Sequence, residues 1–125
     1  MMHILVVDDD PFAAEMIQAT LEAFDYRVSL AQHALDAMEQ WQAAQDIALI
    51  ISDMNMPMVT GIELYQMLKT QGLSVPFILL TGDDPEPLRQ QEPGLSACMI
   101  KDFSLDETLP AAIALAMQAQ TGASQ

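Results

Sequence analysis

Short apolar runs alternate with amphipathic stretches five times along this chain, and the alternation constrains its fold more than any other feature. The runs Ile4–Val7 and Ile47–Ser52 are apolar throughout, as strands buried on both faces are. Three further strands are predicted at Arg27–Ala31, Val75–Leu80 and Ala97–Ile100. Strands that alternate with helices form a parallel sheet covered on both faces. The sequence therefore predicts an α/β fold, a doubly wound (βα)5 sandwich, and by analogy the flavodoxin-like strand order 2-1-3-4-5.

The stretches between the strands have the apolar spacing of amphipathic helices. The first begins at Pro11, a residue suited to a first helical turn. Its apolar face is predicted to hold Ala13, Met16, Ile17, Thr20, Leu21 and Phe24. Between the fourth and fifth strands, Pro85, Pro87 and Pro93 remove backbone donors, so we expect a short or broken helix there. In the last helix, Pro110 is expected in or near the first turn.

The charge balance excludes one class of partner. Four Lys+Arg stand against 18 Asp+Glu, a formal charge of −14, and so acidic a chain repels nucleic-acid phosphates. No apolar run reaches the roughly 20 residues that span a bilayer, and the opening MMHILVV lacks the basic start of a signal peptide. We expect no direct nucleic-acid contact, no membrane segment and a cytoplasmic location. One domain is predicted at 1–119, with 120–125 as a C-terminal tail or linker stump.

Polar residues follow four of the predicted strands, at the point where each strand ends. Asp8 and Asp9 follow the first strand, Asp53 the third, Thr81 the fourth and Lys101 the fifth. Ligands of such sheets bind beyond the carboxyl ends of the strands, near the switch between the first and third. The sequence therefore predicts that three carboxylates, a hydroxyl and an ammonium converge on one edge of the sheet.

The residue types in this group indicate phosphoryl transfer. Several carboxylates close together cannot all ionise cheaply without a cation, and Mg²⁺ favours carboxylates, waters and phosphate oxygens. Asp53 is the predicted nucleophile, which would become an aspartyl phosphate. Asp9, Asp53 and the backbone carbonyl of Asn55 are the predicted Mg²⁺ ligands, with Asp8 acting mainly through water.

Two further roles follow from the charge that a phosphoryl group brings. Lys101 is predicted to neutralise phosphoryl oxygens, and Thr81 to hydrogen-bond one of them. Such a site mostly positions groups and stabilises charge, because the transition state is loose.

Four motifs, taken in order, resemble the receiver domain of two-component response regulators over nearly the whole chain. They are ILVVDDDP, Asp53-Met54-Asn55-Met56-Pro57 followed by Gly61, Thr81-Gly82, and Lys101 followed by Phe103. The resemblance implies that a sensor histidine kinase or a histidine phosphotransfer protein supplies phosphoryl from a phosphohistidine. It also implies that the receiver transfers the group to its own aspartate and later hydrolyses it. A downstream output domain or protein would read the change, mainly on the face of the fourth helix, fifth strand and fifth helix.

The chain departs from the family pattern on that output face. Cys98 stands three positions before Lys101, where the family usually has an aromatic residue that couples to the Thr/Ser switch. Asp102 follows the lysine where the family tends to have a cis-proline, so a trans bond is predicted here. With the proline-rich segment, these departures predict that phosphoryl chemistry is kept while output is altered. The face offers Arg89 and little else for charge pairing, which disfavours dimerisation through it.

Two rival functions would use some of the same residues. A haloacid-dehalogenase-like phosphohydrolase would use Asp8 and Asp10, but it leaves Asp53 unexplained and no room for a cap domain. A receiver-like interaction module that is never phosphorylated has no reason to keep the complete residue set. Whether the chain is free-standing or part of a longer one is left open.

Several single residues had competing interpretations. Asp10 could equally be a first-turn acid favoured by the helix dipole, and Asp83 could either help to position a hydrolytic water or be a plain loop carboxylate. At least one of Met54, Met56 and Met58 is expected to pack within its loop, and the three could also form an adaptable docking rim. The sequence predicts no chemistry for His3 or His33; Trp41 is predicted to lie in the core, and so is Cys98 if the fifth strand is central or half covered.

Overall fold

The computed structural model describes residues 1–123 of the chain, and the side chains of residues 1–120. Strands and helices alternate in this part of the chain: β1 (His3–Val7), α1 (Pro11–Glu22), β2 (Arg27–Ala31), α2 (Ala34–Ala43), β3 (Ile47–Asp53), α3 (Gly61–Thr70), β4 (Phe77–Thr81), α4 (Glu86–Gln91), β5 (Ala97–Ile100) and α5 (Leu105–Ala123). The strands are parallel and lie in the order β2-β1-β3-β4-β5. The predicted doubly wound α/β fold and its strand order are confirmed.

Both faces of the sheet are covered, because alternate residues of each strand point to opposite sides. Leu5 and Val7 of β1 lie in a core that contains residues of α2 and α3, and Leu88 of α4 packs against the same core. Ile4 and Val6 lie in a second core with residues of α1 and α5. Burial on both sides explains why β1 and β3 are apolar runs rather than alternating ones.

The register of the strands brings their carboxyl ends level with one another. Val7, the last residue of β1, pairs with Ser52 of β3. Asp53, the last residue of β3, pairs with the residue of β4 that precedes Thr81. Thr81 in turn pairs with Ile100, the last residue of β5. The residues that follow these ends therefore meet at one edge, which we call the carboxyl edge.

The buried face of α1 differs from the predicted one. Ala14, Ile17 and Leu21 are buried, whereas Met16 and Phe24 are 68% and 54% exposed. The helix packs against the sheet and also contacts α5. Part of the predicted stripe therefore lines a groove between α1 and α5 instead of entering the core.

The proline-rich segment forms the short helix that was expected, since α4 has only 6 residues and none of them is buried. Strand β4 begins at Phe77, two residues later than predicted, because Pro76 has no N–H to give to the ladder. Pro110 lies just beyond the first turn of α5. The described residues contain no cis peptide bond, so the bond between Lys101 and Asp102 is trans, as predicted.

Helix α5 continues to Ala123, into the stretch predicted as a tail. Residues 124–125 of that tail lie outside the described residues, and the predicted domain boundary after residue 119 stays a prediction. Among the helices of the described part, none has the length and apolar character that crossing a bilayer demands.

Candidate functional site

Three carboxylates meet at the carboxyl edge, where β1 and β3 end. Asp8 and Asp53 are buried, with 2% and 6% of their surface exposed, while Asp9 is exposed. One oxygen atom from each of the three carboxylates lies within 4.8 Å of the others. The backbone N–H of Asp8 donates to the carbonyl of Ala31 in β2 at 3.0 Å, which fixes the chain where it leaves β1.

Lys101 enters the same cluster from the end of β5. Its Nζ lies 2.7 Å from Oδ2 of Asp8 and 3.7 Å from Oδ2 of Asp53. Its backbone N–H donates to the carbonyl of Thr81 at 2.7 Å, so the end of β5 is held against the end of β4. The structure thus brings the lysine and the predicted phosphoacceptor to one edge of the sheet, 48 positions apart in sequence.

The cluster contains more negative charge from its carboxylates than Lys101 can neutralise. Burial raises the pKa of Asp53 above its ordinary value; the Lys101 charge lowers this pKa, and the Asp8 charge raises it again. The pKa of Lys101 is raised as well: burial opposes its charge, but the hydrogen bond and charge of Asp8 and the charge of Asp53 outweigh burial. The two buried carboxylates, Asp8 and Asp53, therefore share the ammonium of Lys101.

This donor set fits a small, hard divalent cation. Carboxylate oxygens are the protein ligands that Mg²⁺ prefers, and two of the three carboxylates here are buried and crowded. A cation would offset the effects of burial and of the neighbouring carboxylates, which together raise the pKa of Asp53. The residues present are thus chemically suited to Mg²⁺.

Thr81 and Asn55 are the two remaining residues of the predicted site. Thr81 is 2% exposed, and its Oγ1 accepts a hydrogen bond from the backbone N–H of Asp83 at 3.2 Å. The backbone N–H of Asn55 hydrogen-bonds the Asp53 carboxylate and lowers its pKa, against the larger effect of burial. The Asn55 carbonyl as a metal ligand stays a prediction.

The end of the loop between β3 and α3 packs closely against the backbone of Asp53. A Cβ atom on Gly61 would collide with the backbone carbonyl oxygen of Asp53 and with the Leu79 side chain. The N–H of Gly61 donates to the carbonyl of Met54 at 3.0 Å, which closes the loop. Of the three methionines in this region, Met56 is 7% exposed and packs in the core, as was expected of at least one of them.

The structure shows local hydrogen bonds for Asp10 and Asp83, the two acidic residues whose roles the sequence left open. Asp10 is the N-cap of α1: its side chain accepts from the N–H of Phe12 at 3.0 Å, and its own N–H donates to Oδ1 of Asp8 at 2.9 Å. Asp83 is exposed, and its backbone N–H is what contacts Thr81. The pair that converges with Asp53 is Asp8 and Asp9, rather than Asp8 and Asp10.

A family model decides what this arrangement belongs to. The model of the response regulator receiver domain matches residues 4–113 of the chain. The chain is a member of this receiver-domain family. The resemblance given by the motifs is therefore confirmed, and this family membership disfavours the haloacid-dehalogenase-like alternative.

Individual relatives agree with the family. Response regulator Rre1 of Synechocystis is 35% identical over 111 residues, which cover 85% of this receiver and 48% of that protein. Sensor histidine kinase RcsC of Escherichia coli is 33% identical over 107 residues, 84% of this receiver and 11% of the kinase. The fold resembles that of response regulator protein TrrA from Thermotoga maritima with a TM-score of 0.81 and 25% identity, covering 92% of this receiver and 99% of that chain. The chain thus spans less than half the length of these two curated relatives.

Two residues at which the sequence departs from the family pattern, Cys98 and Asp102, lie in β5 and just after it. Cys98 is 1% exposed and lies in the core that contains residues of α2 and α3, as predicted for a covered fifth strand. Its backbone carbonyl accepts two hydrogen bonds from Arg89 of α4, from Nε at 3.1 Å and Nη2 at 2.7 Å. Asp102 accepts from the N–H and hydroxyl of Ser104 at 2.9 and 2.6 Å, so its carboxylate orders the turn before α5.

A second polar cluster, which the sequence did not reveal, lies at the opposite edge of the sheet. The ring of His3 is 3% exposed, and its nitrogens lie 2.9 Å from Oδ1 of Asp46 and 2.7 Å from Oγ of Ser29. Asp46 also pairs with Arg27 at 2.9 Å. The available signal was a histidine inside an otherwise apolar strand. His33, by contrast, caps α2 by accepting from a backbone N–H at 3.2 Å.

Proposed function

We propose that this receiver is a phosphoacceptor of a two-component relay, which takes a phosphoryl group from a phosphohistidine onto Asp53 in a Mg²⁺-dependent reaction. One observation carries the proposal: the Lys101 ammonium lies 3.7 Å from the Asp53 carboxylate, inside a cluster of three carboxylates. An acceptor for a charged group needs a nucleophile beside fixed positive charge.

Asp53 supplies the nucleophile. One of its carboxylate oxygens forms a bond to phosphorus while the bond from phosphorus to the donor imidazole nitrogen breaks, and the imidazole leaves with that electron pair. The carboxylate has to be ionised to act, which burial and the neighbouring acids oppose because they raise its pKa. The charge of Lys101 favours the ionised form.

Lys101 and Thr81 receive the phosphoryl group. Lys101 neutralises charge on its oxygens, and the Thr81 hydroxyl donates to one of them. Because Thr81 Oγ1 accepts from the Asp83 N–H at 3.2 Å, its hydroxyl hydrogen can point elsewhere. Little covalent help is required beyond this, since phosphoryl transfer passes through a loose transition state.

Asp9, Asp53 and the Asn55 carbonyl would hold Mg²⁺, with Asp8 acting mainly through water. When bound, Mg²⁺ offsets the charge of the carboxylates and of the phosphoryl group. The relative TrrA, described as a complex with Mg²⁺ and BeF, supports this assignment.

The partners follow from the family. A sensor histidine kinase or a histidine phosphotransfer protein would be the donor, and water would later hydrolyse the aspartyl phosphate with the help of the same residues. A downstream output domain or protein would read the face of α4, β5 and α5, in a mode altered by Cys98, Asp102 and the short α4. The predicted cytoplasmic location, without nucleic-acid or membrane contact, belongs to the same proposal.

A non-phosphorylated interaction module is the second candidate, and one distance favours it. The Lys101 ammonium lies closer to Asp8, at 2.7 Å, than to Asp53 at 3.7 Å. A lysine kept only to neutralise a buried carboxylate would show such a pairing. This candidate requires that Asp53 does not react.

Intact mass after incubation with Mg²⁺ and acetyl phosphate tests the proposal. We expect a Mg²⁺-dependent gain of one phosphoryl group in the native chain and in the matched control Asp84→Asn, whose exposed carboxylate lies outside the cluster. Asp53→Asn should gain none. An absent gain in the native chain would favour the interaction module, and a gain that persists in Asp53→Asn but is lost in Asp8→Asn would revive the phosphohydrolase reading.

A further inference from the structure

Arg89 is the main polar link between α4 and β5. Its Nε and Nη2 donate to a single acceptor, the backbone carbonyl oxygen of Cys98, at 3.1 and 2.7 Å. Helix α4 has 6 residues, none of them buried, although Leu88 packs partly against the core. So short and exposed a helix depends on few contacts to keep its place.

The same helix is joined to the phosphoacceptor edge along both of its connections. Through β5, the Cys98 carbonyl lies three residues before Lys101, whose N–H donates to the Thr81 carbonyl at 2.7 Å. Through the loop before α4, the Asp83 N–H donates to Thr81 Oγ1 at 3.2 Å. A change at Thr81 and Lys101 therefore reaches α4 by two routes.

We propose that Arg89 latches α4 to β5 in the unphosphorylated receiver, and that a phosphoryl group on Asp53 releases this latch. The inference rests on the proposed function and names how that site is read out. A phosphoryl group beside Asp53 attracts the Lys101 ammonium and the Thr81 hydroxyl, which displaces the end of β5 and the loop before α4. Both Arg89 hydrogen bonds end on one oxygen atom, so a small shift of β5 weakens them together.

The surroundings of Arg89 allow α4 to move. A cavity of about 310 Å³ lies between the end of α4 and β5, and Arg89, Leu95 and Cys98 are among its lining residues. The small Cys98 side chain has no ring whose rotation could transmit the signal. The latch acts through the main chain at residue 98, so it works without the aromatic residue that the family usually has there.

Glu86 supplies a matched control. Its Oε2 accepts from Nη1 of Arg89 at 3.1 Å, but both residues belong to α4, so this pair joins no two elements. Glu86→Gln removes the charge of this partner of Arg89 and keeps the bonds to Cys98. Arg89→Gln removes those bonds, and Arg89→Lys keeps the charge without the fork of donors.

Hydrogen exchange of the whole chain, with and without Mg²⁺ and beryllofluoride, tests the latch. In the native chain and in Glu86→Gln, we expect the backbone amides of residues 86 and 88–92 to exchange about tenfold faster with beryllofluoride. Arg89→Gln should exchange at the fast rate already without it and change little on its addition, and Arg89→Lys should lie between. Because coupling is reciprocal, Arg89→Gln should also bind beryllofluoride several-fold more tightly.

The outcomes separate the latch from the phosphoacceptor proposal. If beryllofluoride protects the loop after Asp53 in the native chain while α4 is unchanged, the latch is wrong and the phosphoacceptor stands. If no segment of the native chain responds, both proposals fail. If Arg89→Gln or Arg89→Lys matches the native chain in the absence of beryllofluoride, the bonds to Cys98 do not hold α4, whatever happens at Asp53.

Discussion

The two edges of the sheet carry polar clusters of similar size and opposite character. At the amino edge, His3 and Arg27 surround Asp46, and its pKa is lowered, first by the hydrogen bond from His3. At the carboxyl edge, burial and neighbouring carboxylates raise the pKa of Asp53 in spite of Lys101. The charge of Asp46 is stabilised by residues of the protein itself, whereas the cluster around Asp53 has surplus negative charge. Perturbed groups of the second kind mark functional sites.

The two clusters should respond to pH in opposite senses. A carboxylate with a lowered pKa stabilises the fold above its unfolded pKa, and that contribution is lost as the pH falls. A carboxylate with a raised pKa is favourable only when protonated, so its contribution is lost as the pH rises through its folded pKa. Asp46 and Asp53 are the two cases, and four predictions would sharpen or break the contrast between them.

The largest difference in stability between the two edges is expected when each edge loses a cation. Lys101→Met leaves Asp8, whose side chain is 1% exposed, without its ammonium, and should cost about 2–3 kcal/mol of unfolding free energy in the absence of Mg²⁺. Arg27→Met removes a pair that is more than half exposed and should cost less than about 0.5 kcal/mol. Urea denaturation with EDTA measures both. Equal losses would mean that the two edges are not electrostatically different.

The histidine at the amino edge comes next. His3→Ala removes a buried ring and both of its hydrogen bonds, and should cost about 2 kcal/mol. Because this cluster lies at the other edge of the sheet, the rate of phosphorylation by acetyl phosphate at a temperature where the variant is folded should not change. A slowed reaction would show that the amino edge takes part in the chemistry.

Neutralising one carboxylate at each edge should change the free energy of unfolding in opposite directions. Asp53→Asn relieves the crowded cluster and should raise the unfolding free energy at pH 7 without Mg²⁺. Asp46→Asn loses a favourable charge and should lower it. The Asp53→Asn difference should shrink as the pH falls through the raised pKa of Asp53 toward about 3.9, whereas the Asp46→Asn difference should shrink only below about 3.9, because the pKa of Asp46 is lowered. Unfolding curves from pH 3 to 7 would contradict the contrast if both variants moved in the same direction.

The smallest effect concerns backbone strain. Met58 in the loop after Asp53 has φ 71°, and Asp25 before β2 has φ 65°. Aspartate and asparagine tolerate this left-handed region better than methionine. Met58→Asn should therefore raise the free energy of unfolding, measured by urea denaturation, by about 0.5–1 kcal/mol. Asp25→Asn should leave it unchanged. A loss of stability in Met58→Asn would show that the exposed methionine has a contact worth more than its strain.

The carboxyl edge could be predicted from the sequence because its geometry follows from the order of the strands. Each strand end is marked by a change from apolar to polar residues, and a parallel sheet places those ends together. Asp8, Asp53 and Lys101 were therefore predicted to meet without knowledge of any contact. The direct contact of Lys101 with Asp8 was not predicted, because side-chain pairing depends on distances that spacing does not encode.

The amino edge and the α4 attachment could not be predicted in the same way. His3 lies in β1 and Asp46 just before β3, and nothing in their local sequence marks a partner. Arg89 contacts a backbone carbonyl, and any residue at position 98 would present one. The face of α1 was partly wrong because a helical stripe does not show which of its residues meet the sheet and which meet α5.

The most direct test of the central claim is to locate the phosphoryl group itself. The native chain would be incubated with Mg²⁺ and acetyl phosphate and then reduced with borohydride, which converts an aspartyl phosphate to homoserine. Peptide sequencing by mass spectrometry should find homoserine at position 53 and nowhere else. Homoserine at position 8 or 9, or none at all, would contradict the account.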